Sequence, residues 1–254
     1  MSQVQRKFSW LPDVPDHRDH FFKMSPPTVG LPTNVLPLGL SNRIEDQGDL
    51  GSCVGNAATS ALEIITKVPT QLSRLMAYYN ARAIEGSVPY DYGCYIRDAI
   101  KAFKVGGCCA ESLWPYNIAK FAQRPPMSAY TDAKKIQPLV LKYERVTTLT
   151  QVKTAIAAGL PVVFGFMVPA YFVSNQVATN GWVRFPTPQD QQIGGHATVA
   201  VGYDSRLTAS PKPYIWVRNS WGMNWGLKGY FKMEERWFTD PSRLVDDMWV
   251  IYPK

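Results

Sequence analysis

The chain is organised around the segment QGDLGSCV, residues 47–54, which places a thiol at the start of a predicted helix. Ser52 is a favoured N-cap residue, and Pro69 lies beyond the end of the helical pattern. Cys53 then occupies the first turn, where unpaired N–H groups and the helix dipole favour a thiolate. We therefore interpret Cys53 as a candidate nucleophile, with the side-chain amide of Gln47 a short distance upstream. The apolar positions after the thiol recur at steps of three and four, as on one helical face: Val54, Ala57, Ala58, Ala61, Leu62 and Ile65.

The whole sequence has the composition of a globular protein, large enough for one big domain or two coupled lobes. It has 254 residues, of which 46% are hydrophobic and 19% are charged. Its formal net charge of +7 is scattered without a basic cluster, so neither nucleic acid nor a membrane is an expected partner. The first residues lack the apolar core of a signal peptide, and four cysteines are too few for a disulfide framework. We expect a monomer in a reducing compartment, cytoplasmic by default, with non-classical export left open.

Three regions of the chain differ in their patterns. Residues 1–38 form a proline-rich lead-in without a persistent period, which predicts an extended segment lying on the body of the protein. Residues 39–138 are predicted to be mainly helical, with further helices over about 72–84 and 95–104. Helices first and strands second predict an α+β protein with two lobes. In residues 139–254 short apolar or alternating runs predict strands at 139–143, 162–168, 197–203, 214–218 and 229–233, with a short helix over about 151–158.

A thiol nucleophile needs a base that keeps the sulfur ionised and later protonates the leaving amine. The chain contains three histidines, and two of them, His17 and His20, lie in the lead-in. His196 follows two glycines and opens a predicted strand, so it is the candidate base. Asn219 lies where another strand enters a turn rich in Trp and Gly, and its amide oxygen can hold an imidazole N–H. Trp221 could shield that hydrogen bond from water.

These motifs together resemble those of the papain family of cysteine peptidases, in its prokaryotic-type branch. The family's glutamine and nucleophile match Gln47 and Cys53, its glycine-preceded histidine matches His196, and its Asn-Ser-Trp-Gly turn matches residues 219–222. The resemblance extends from about residue 31 to the C-terminus. It implies a papain-like two-lobed fold, in which a helical lobe and an antiparallel, β-barrel-like lobe enclose the active-site cleft. It also implies an oxyanion hole formed by the Gln47 side-chain amide and the Cys53 backbone N–H.

A substrate-binding surface is implied by the same resemblance. The family's backbone clamp is a glycine-containing loop before the third helix, best matched here by residues 92–94. Small residues at Gly165 and Gly194 predict a roomy specificity pocket that accepts a bulky apolar or aromatic side chain. The chain departs from the family at Leu50 and Val54, where Cys and Trp are usual, and in a longer loop that includes residues 207–213. The predicted substrate-binding residues are Gly93, Cys94, Gly165, Phe166, Gly194, Gly195, Ala197 and Trp221.

The predicted function is that of a cysteine endopeptidase that hydrolyses peptide or protein substrates through a thioester, without a metal or organic cofactor. The alternative from another class is a catalytically silent papain-like protein that serves as a binding or scaffold module. A nearer alternative is an exopeptidase or a transferase with the same chemistry. Because a pro-segment in this family crosses the cleft backwards and blocks it, part of residues 8–30 is predicted to lie along the cleft and restrain activity. The other interpretation of this segment is a structural strap packed on the body.

Two further clusters have less specific interpretations. The segment HRDH, residues 17–20, lies near Asp13 and Asp16 and could imitate a metal site, but further close histidine or cysteine ligands are lacking. The vicinal pair Cys108 and Cys109 could bind a metal or form a strained disulfide, and free buried thiols are the preferred interpretation. Cys94 is interpreted as a small residue that fills space near the cleft.

Overall fold

A computed structural model describes residues 6–39, 43–206 and 212–254. Most of the predicted long loop, residues 207–211, therefore lies outside the described residues. No helix in the described ranges combines the length and the apolar character that a membrane crossing requires.

The helices are α1 (Cys53–Thr66), α2 (Arg74–Glu85), α3 (Ile96–Gly106), α4 (Met127–Ala133), α5 (Leu149–Ala157) and α6 (Asn175–Asn180). The strands are β1 (Trp10–Leu11), β2 (Asn34–Val35), β3 (Cys94–Tyr95), β4 (Val140–Val146), β5 (Val162–Pro169), β6 (Trp182–Val183), β7 (Gln192–Asp204), β8 (Tyr214–Arg218), β9 (Tyr230–Glu234) and β10 (Val245–Pro253).

Helix α1 begins at the candidate nucleophile, as predicted. Ser52 occupies the N-cap position, but its hydroxyl does not cap the helix and is hydrogen-bonded to the Tyr116 hydroxyl and to the Asn56 side chain instead. The chain leaves the helix through Lys67, whose backbone is left-handed, two residues before Pro69. Twelve of the fourteen residues of α1 are buried, so the helix is a central support rather than a surface element. Its first turn is thereby held in a fixed place for the chemistry.

Seven strands form a continuous sheet in the order β4-β10-β5-β7-β8-β9-β6, and β2 adds to β7. Neighbouring strands in this order are antiparallel except β6 and β9, which are parallel. Among the described strands the two ends of the order, β4 and β6, are not paired with each other, so the sheet is open and not a closed barrel. The longest strand, β7, lies between β5 and β8 and carries His196 near its start. His196 itself is paired with Phe166 of β5, and the pairing of β7 with β8 begins at Val199, so the sheet fixes the strand that carries the candidate base.

Two hydrophobic cores hold the molecule together. One core combines α1, α2 and α3 with residues of β7 and β10, so it joins the helical part to the sheet. The other lies on the β-rich side and contains Phe164, Phe166, Phe172, Phe231 and Trp237, all fully buried. Because α1 packs directly against β7, the first turn of the helix meets the first half of that strand. This junction brings the two predicted catalytic regions into one place.

The lead-in is extended, and its first described part enters the junction between the helical and β-rich parts. We call residues 6–13 the strap. In the strap β1 pairs in parallel with β3, on the helical side, and Ser9 forms a parallel bridge to Gly195, on the β7 side. The strap therefore lies between α1 and the sheet and is held by backbone pairing on both borders.

Candidate active site

Cys53 lies at the tip of α1 beneath the strap and has no exposed surface. The Ser9 hydroxyl oxygen is 3.8 Å from the Cys53 sulfur. The backbone N–H groups of Ala197 and Ser9 also lie within reach of the sulfur. Since Ala197 follows His196 in β7, the thiol and the predicted base belong to one small region of the structure.

His196 is held by Asn219 from the end of β8, in the arrangement that the sequence predicts. The His196 Nε2 atom is 2.9 Å from the Asn219 Oδ1 atom, and this oxygen also accepts a 2.9 Å hydrogen bond from the Ser220 backbone N–H. An acceptor on Nε2 fixes that nitrogen as the protonated one, which leaves Nδ1 free to act as a base. The Trp221 ring lies 5.1 Å from the imidazole ring, and only 4% of Trp221 is exposed. Trp221 therefore shields the His196–Asn219 hydrogen bond from solvent, as expected.

Burial controls the protonation of the pair. Burial raises the pKa of the Cys53 thiol, and hydrogen bonds from Ala197 and Ser9 offset only part of that effect. Burial also lowers the pKa of His196 to about 4, against the smaller opposing effect of its hydrogen bond to Asn219. The sequence predicts a thiolate at the helix tip, whereas in this structure desolvation under the strap outweighs the helix-end effect and favours the neutral thiol.

Gln47 is held in place by a network that connects it to both halves of the molecule. Its Nε2 atom donates to the Leu50 carbonyl oxygen at 3.1 Å, and its Oε1 atom accepts from the Ser220 hydroxyl at 2.7 Å. Its backbone N–H donates to the Ser220 carbonyl oxygen, and its carbonyl oxygen accepts from the Tyr116 hydroxyl. The side chain is fully buried, so its amide is oriented before any substrate arrives. The second N–H of this amide is the predicted oxyanion donor.

The glycines predicted to bind substrate are the residues that the strap approaches most closely. A Cβ atom on Gly93 would lie 1.6 Å from the Ser9 carbonyl oxygen, and one on Gly194 would lie 2.6 Å from the Phe8 Cβ atom. Gly93 and Gly194 also have positive φ angles, which favour glycine. The strap thus runs against bare backbone on both borders of the site.

Trp10 of the strap fills the predicted specificity pocket. A Cβ atom on Gly165 would lie 2.0 Å from the Trp10 indole, and one on Gly195 would lie 2.7 Å from the Trp10 carbonyl oxygen. The indole N–H donates to an Asp247 carboxylate oxygen at 3.2 Å. Trp10 is only 5% exposed, so the pocket encloses a large aromatic side chain.

Three other predicted substrate-binding residues lie around the strap with little or no exposed surface. Cys94 pairs with Trp10 in register, and Ala197 lies beside the Cys53 sulfur. Phe166 belongs to the core of the β-rich side, where its ring lies 5.8 Å from the His196 ring. Phe166 therefore supports the candidate base from beneath.

Sequence reasoning expected part of residues 8–30 along the cleft, but it did not identify which of these residues contact the site, and it missed the carboxylates that anchor them. Asp13 donates its backbone N–H to Asp247 at 2.6 Å, and its carboxylate accepts from the Trp249 indole at 2.7 Å. The Asp247 carboxylate also pairs with Arg145 at 2.7 Å. The run FSWLP, residues 8–12, could have indicated these contacts, because its aromatic side chains need a surface that covers them.

Two acidic residues of the lead-in are paired with arginines. Asp16 pairs with Arg18 at 2.6 Å, and Asp19 pairs with Arg97 at 2.9 Å. Within the described ranges no group of three or more His, Cys, Asp or Glu residues is arranged to hold a metal ion. The cysteines other than the candidate nucleophile, Cys94, Cys108 and Cys109, are free and buried.

Comparisons with known proteins agree with this geometry. Residues 39–240 match the family described as papain family cysteine protease. The chain is 33% identical to xylellain, a cysteine protease from Xylella fastidiosa, with a TM-score of 0.87 over 99% of both chains. It is 35% identical to a peptidase C1-like protein of Acanthamoeba polyphaga mimivirus, over 98% of this chain and 88% of that protein.

More distant relatives are longer. Bovine pro-cathepsin H is 29% identical over 75% of this chain and 55% of its own length, so the chain spans about half of that relative. The papain-like α+β fold expected from the sequence is confirmed by the structural similarity. The resemblance drawn from the Gln, Cys, His and Asn motifs is confirmed by the family match as well. This chain belongs to the papain family of cysteine proteases and is a cysteine peptidase of the hydrolase class.

Proposed function

We propose that this peptidase is an endopeptidase, that it works through a thioester on Cys53, and that the strap restrains it in the intact chain. Support for the cleavage mode comes from the course of the strap itself. Arg6 and Phe8 contact the Trp221 ring at one end of the site, and Trp10 occupies the Gly165 pocket at the other. A continuous polypeptide therefore fits on both sides of the sulfur, as an internal peptide bond requires.

The proposed reaction assigns one group of the site to each step. The Cys53 sulfur attacks the substrate carbonyl carbon, and His196 Nδ1 takes the thiol proton. The oxyanion that forms accepts hydrogen bonds from the Gln47 amide and the Cys53 backbone N–H. His196 then protonates the leaving amine, the thioester remains on Cys53, and water activated by His196 releases the acid. Asn219 keeps the imidazole oriented throughout, because its Oδ1 atom accepts a hydrogen bond from the Nε2–H group.

The strap supports restraint because it covers the reacting atoms. The Ser9 hydroxyl oxygen lies 3.8 Å from the Cys53 sulfur, and the Ser9 backbone N–H also lies within reach of it. The largest anchor is Trp10, since burying an indole of roughly 150–250 Å² is worth at most about 4–6 kcal/mol. The ion pairs Arg6–Asp46 and Lys7–Asp91 lie at the surface and add little. Restraint therefore depends mainly on one aromatic side chain.

The nucleophile is tested by Cys53→Ala in a chain that also carries Trp10→Ala, so that restraint does not mask activity. We expect peptide hydrolysis to fall to the background rate, because the thioester cannot form. Cys108→Ala in the same background is the matched control, since that thiol is equally buried but lies elsewhere. Cleavage by the Cys53→Ala chain at the rate of its background would refute the assignment.

Cleavage mode and restraint are tested with a quenched fluorescent peptide that is blocked at both ends. An endopeptidase cleaves this peptide internally, whereas an exopeptidase acts only on a version with a free terminus. We expect Trp10→Ala to raise cleavage at least about tenfold, because losing a buried Trp typically costs 3–5 kcal/mol. Val29→Ala is the control, since Val29 belongs to the same lead-in and is 95% exposed. Equal activity of the parent and Trp10→Ala chains would exclude restraint by the strap.

A further inference from the structure

A small cavity lies beside the His196–Asn219 pair. Its volume is about 10 Å³, close to the space that one water molecule needs. Four stretches of the chain line it: Glu45 lies before α1, α1 contributes Ser60, β7 contributes Thr198, and the end of β8 with the turn after it contributes Arg218 and Asn219. The exposed fractions of Ser60, Thr198 and Asn219 are 8%, 1% and 3%, so each of these three residues is more than nine-tenths buried.

Each of these three residues has a polar side-chain atom without a hydrogen-bond partner among the described residues. The atoms are Ser60 Oγ, Thr198 Oγ1 and Asn219 Nδ2. Buried polar groups are nearly always hydrogen-bonded, so three such atoms around one cavity require a shared partner. An amide N–H donates and a hydroxyl can donate or accept, which together match the donors and acceptors of one water. A cation fits this set poorly, because the N–H group of Asn219 would face it.

We propose that this cavity is a water-binding site and that the bound water positions Asn219 for catalysis, which makes Ser60 and Thr198 positioning residues. The inference rests on the proposed role of Asn219 in orienting His196. The water accepts a hydrogen bond from the Asn219 Nδ2–H group and hydrogen-bonds to the two hydroxyls.

The water holds the side-chain amide of Asn219 in one orientation. Asn219 Oδ1 serves both His196 Nε2 and the Ser220 backbone N–H, each at 2.9 Å. A rotated amide would place its NH2 group against these two donors and release the imidazole. An acceptor on Nδ2 disfavours that rotation. The hydroxyls of α1 and β7 thus support the base–orienter pair from the side opposite the substrate.

The direct test is a crystal structure of the full-length Cys53→Ala chain at a resolution that shows ordered water. We expect a density peak within hydrogen-bond distance of Ser60 Oγ, Thr198 Oγ1 and Asn219 Nδ2. A cavity without density, or a peak that does not reach Asn219, would overturn the inference. This readout does not depend on the activity of the enzyme.

The kinetic test uses Thr198→Val and Ser60→Ala in the Trp10→Ala background. Each is expected to lower kcat about three- to tenfold with KM unchanged, because one hydrogen bond to the orienting group is lost. The double variant should be no worse than the poorer single variant, since both hydroxyls act through one water. In an Asn219→Ala background Thr198→Val should have no further effect on kcat, which a purely structural role would not produce.

Thr154→Val is the matched control, because that buried hydroxyl is satisfied by the Thr150 carbonyl within α5. Additive losses in the double variant, or an undiminished effect of Thr198→Val without Asn219, would overturn the inference. A failure of the proposed function looks different, since the Trp10→Ala chain would then show no Cys53-dependent hydrolysis at all. Urea unfolding midpoints of all variants separate lost catalysis from lost folding.

Discussion

The reactivity of Cys53 and His196 is set by the residues that cover them more than by the helix that carries the thiol. Both side chains lack exposed surface, and burial disfavours the thiolate and the imidazolium alike. The pKa of the thiol is raised and that of His196 is lowered to about 4, so both groups are neutral near pH 7. If the strap leaves, water reaches both side chains. Water and the positive end of the helix dipole then favour the Cys53 thiolate with the His196 imidazolium. The same two residues can therefore be silent or reactive.

This difference predicts the rate at which iodoacetamide labels Cys53 at pH 7. In the parent chain labelling should be slow, because the thiol is both buried and protonated. Trp10→Ala should accelerate it at least about tenfold, since loss of the indole weakens the strap. Peptide mass spectrometry measures the label at each cysteine, and buried Cys108 serves as the internal reference. Equal labelling of Cys53 in the two chains would mean that the strap does not govern the thiol.

Single residues of the site were predictable to very different degrees. Cys53, His196 and Asn219 could be proposed from the sequence, because the chemistry of a thiol peptidase needs particular residue types in particular local patterns. The protonation state of Cys53 could not, because it depends on desolvation by a segment that lies 44 positions away in the sequence. Asp247 was missed for a similar reason, since its contact with Trp10 spans 237 positions. Local pattern identifies the reacting groups, and long-range burial sets their state.

Among the elements, the strap is anchored by carboxylates as well as by its indole. Asp13 and Asp247 are both buried, and Arg145 and Arg97 supply positive charge beside them. Burial and the neighbouring Asp247 carboxylate raise the pKa of Asp13 to about 7, from an ordinary value of 3.8. Burial raises the pKa of Asp247 too. The docked strap therefore binds protons more tightly than the released strap.

The tighter proton binding of the docked strap sets the direction in which docking depends on pH. A carboxyl whose pKa is higher in the docked state stabilises docking fully below about pH 4 and loses this contribution as the pH rises through about 7. Between these two pKa values, from about pH 4 to about pH 7, one proton weakens docking by up to about tenfold per pH unit, so we expect the parent chain to become less restrained from pH 5 to pH 7 and to change little above pH 7. Asp13→Asn, which resembles the protonated side chain, should remain restrained at pH 8.

The measurement is the ratio of kcat/KM between the parent and Asp13→Asn chains, because the ratio cancels the pH dependence of the catalytic groups. It should be near one at about pH 4, should rise from pH 5 to pH 7 and should level off above pH 7. Asp16→Asn is the control in the same lead-in, since its pairing with Arg18 lowers the pKa of that carboxyl, far outside this range. A ratio that stays constant from pH 5 to pH 8 would contradict the carboxylate anchor.

The regular elements were predicted best where a local period was strong. The helix at about 95–104 appears as α3, Ile96–Gly106, because its apolar face repeats cleanly and two glycines end it. The strand predicted at 197–203 is longer in the structure, Gln192–Asp204, since pairing with β5 extends it through the glycines before His196. Strand β10 was not predicted, because Asp246 and Asp247 interrupt its apolar pattern at a bulge. Those aspartates bind Arg145, which only the folded sheet brings near.

For the whole molecule, one pocket has two competing occupants. The Gly165 pocket accepts Trp10 while the strap is docked, and by the proposed function it accepts a substrate side chain once the strap leaves. By this proposal, the residues that favour a bulky aromatic substrate are the same residues that hold the strap in place. Specificity and restraint would then be coupled, and a change in the size of the pocket should alter both.

Gly165→Val separates these two effects with one substitution. The Trp10 indole lies 2.0 Å from the position of a Cβ atom at Gly165, so a valine must expel it and loosen the strap. In the intact chain we expect faster cleavage of a blocked peptide that places Ala in the pocket. The Gly165→Val chain should cleave the matched peptide with Phe at least about tenfold more slowly than the Trp10→Ala chain does, because the valine fills the space that the ring needs.

A positional scan with the Trp10→Ala chain identifies the peptide position to vary. Gly106→Ala is the matched control, since a Cβ atom there meets nothing within 4 Å. If both peptides were cleaved more slowly by Gly165→Val than by the parent, strap and substrate would not share this pocket.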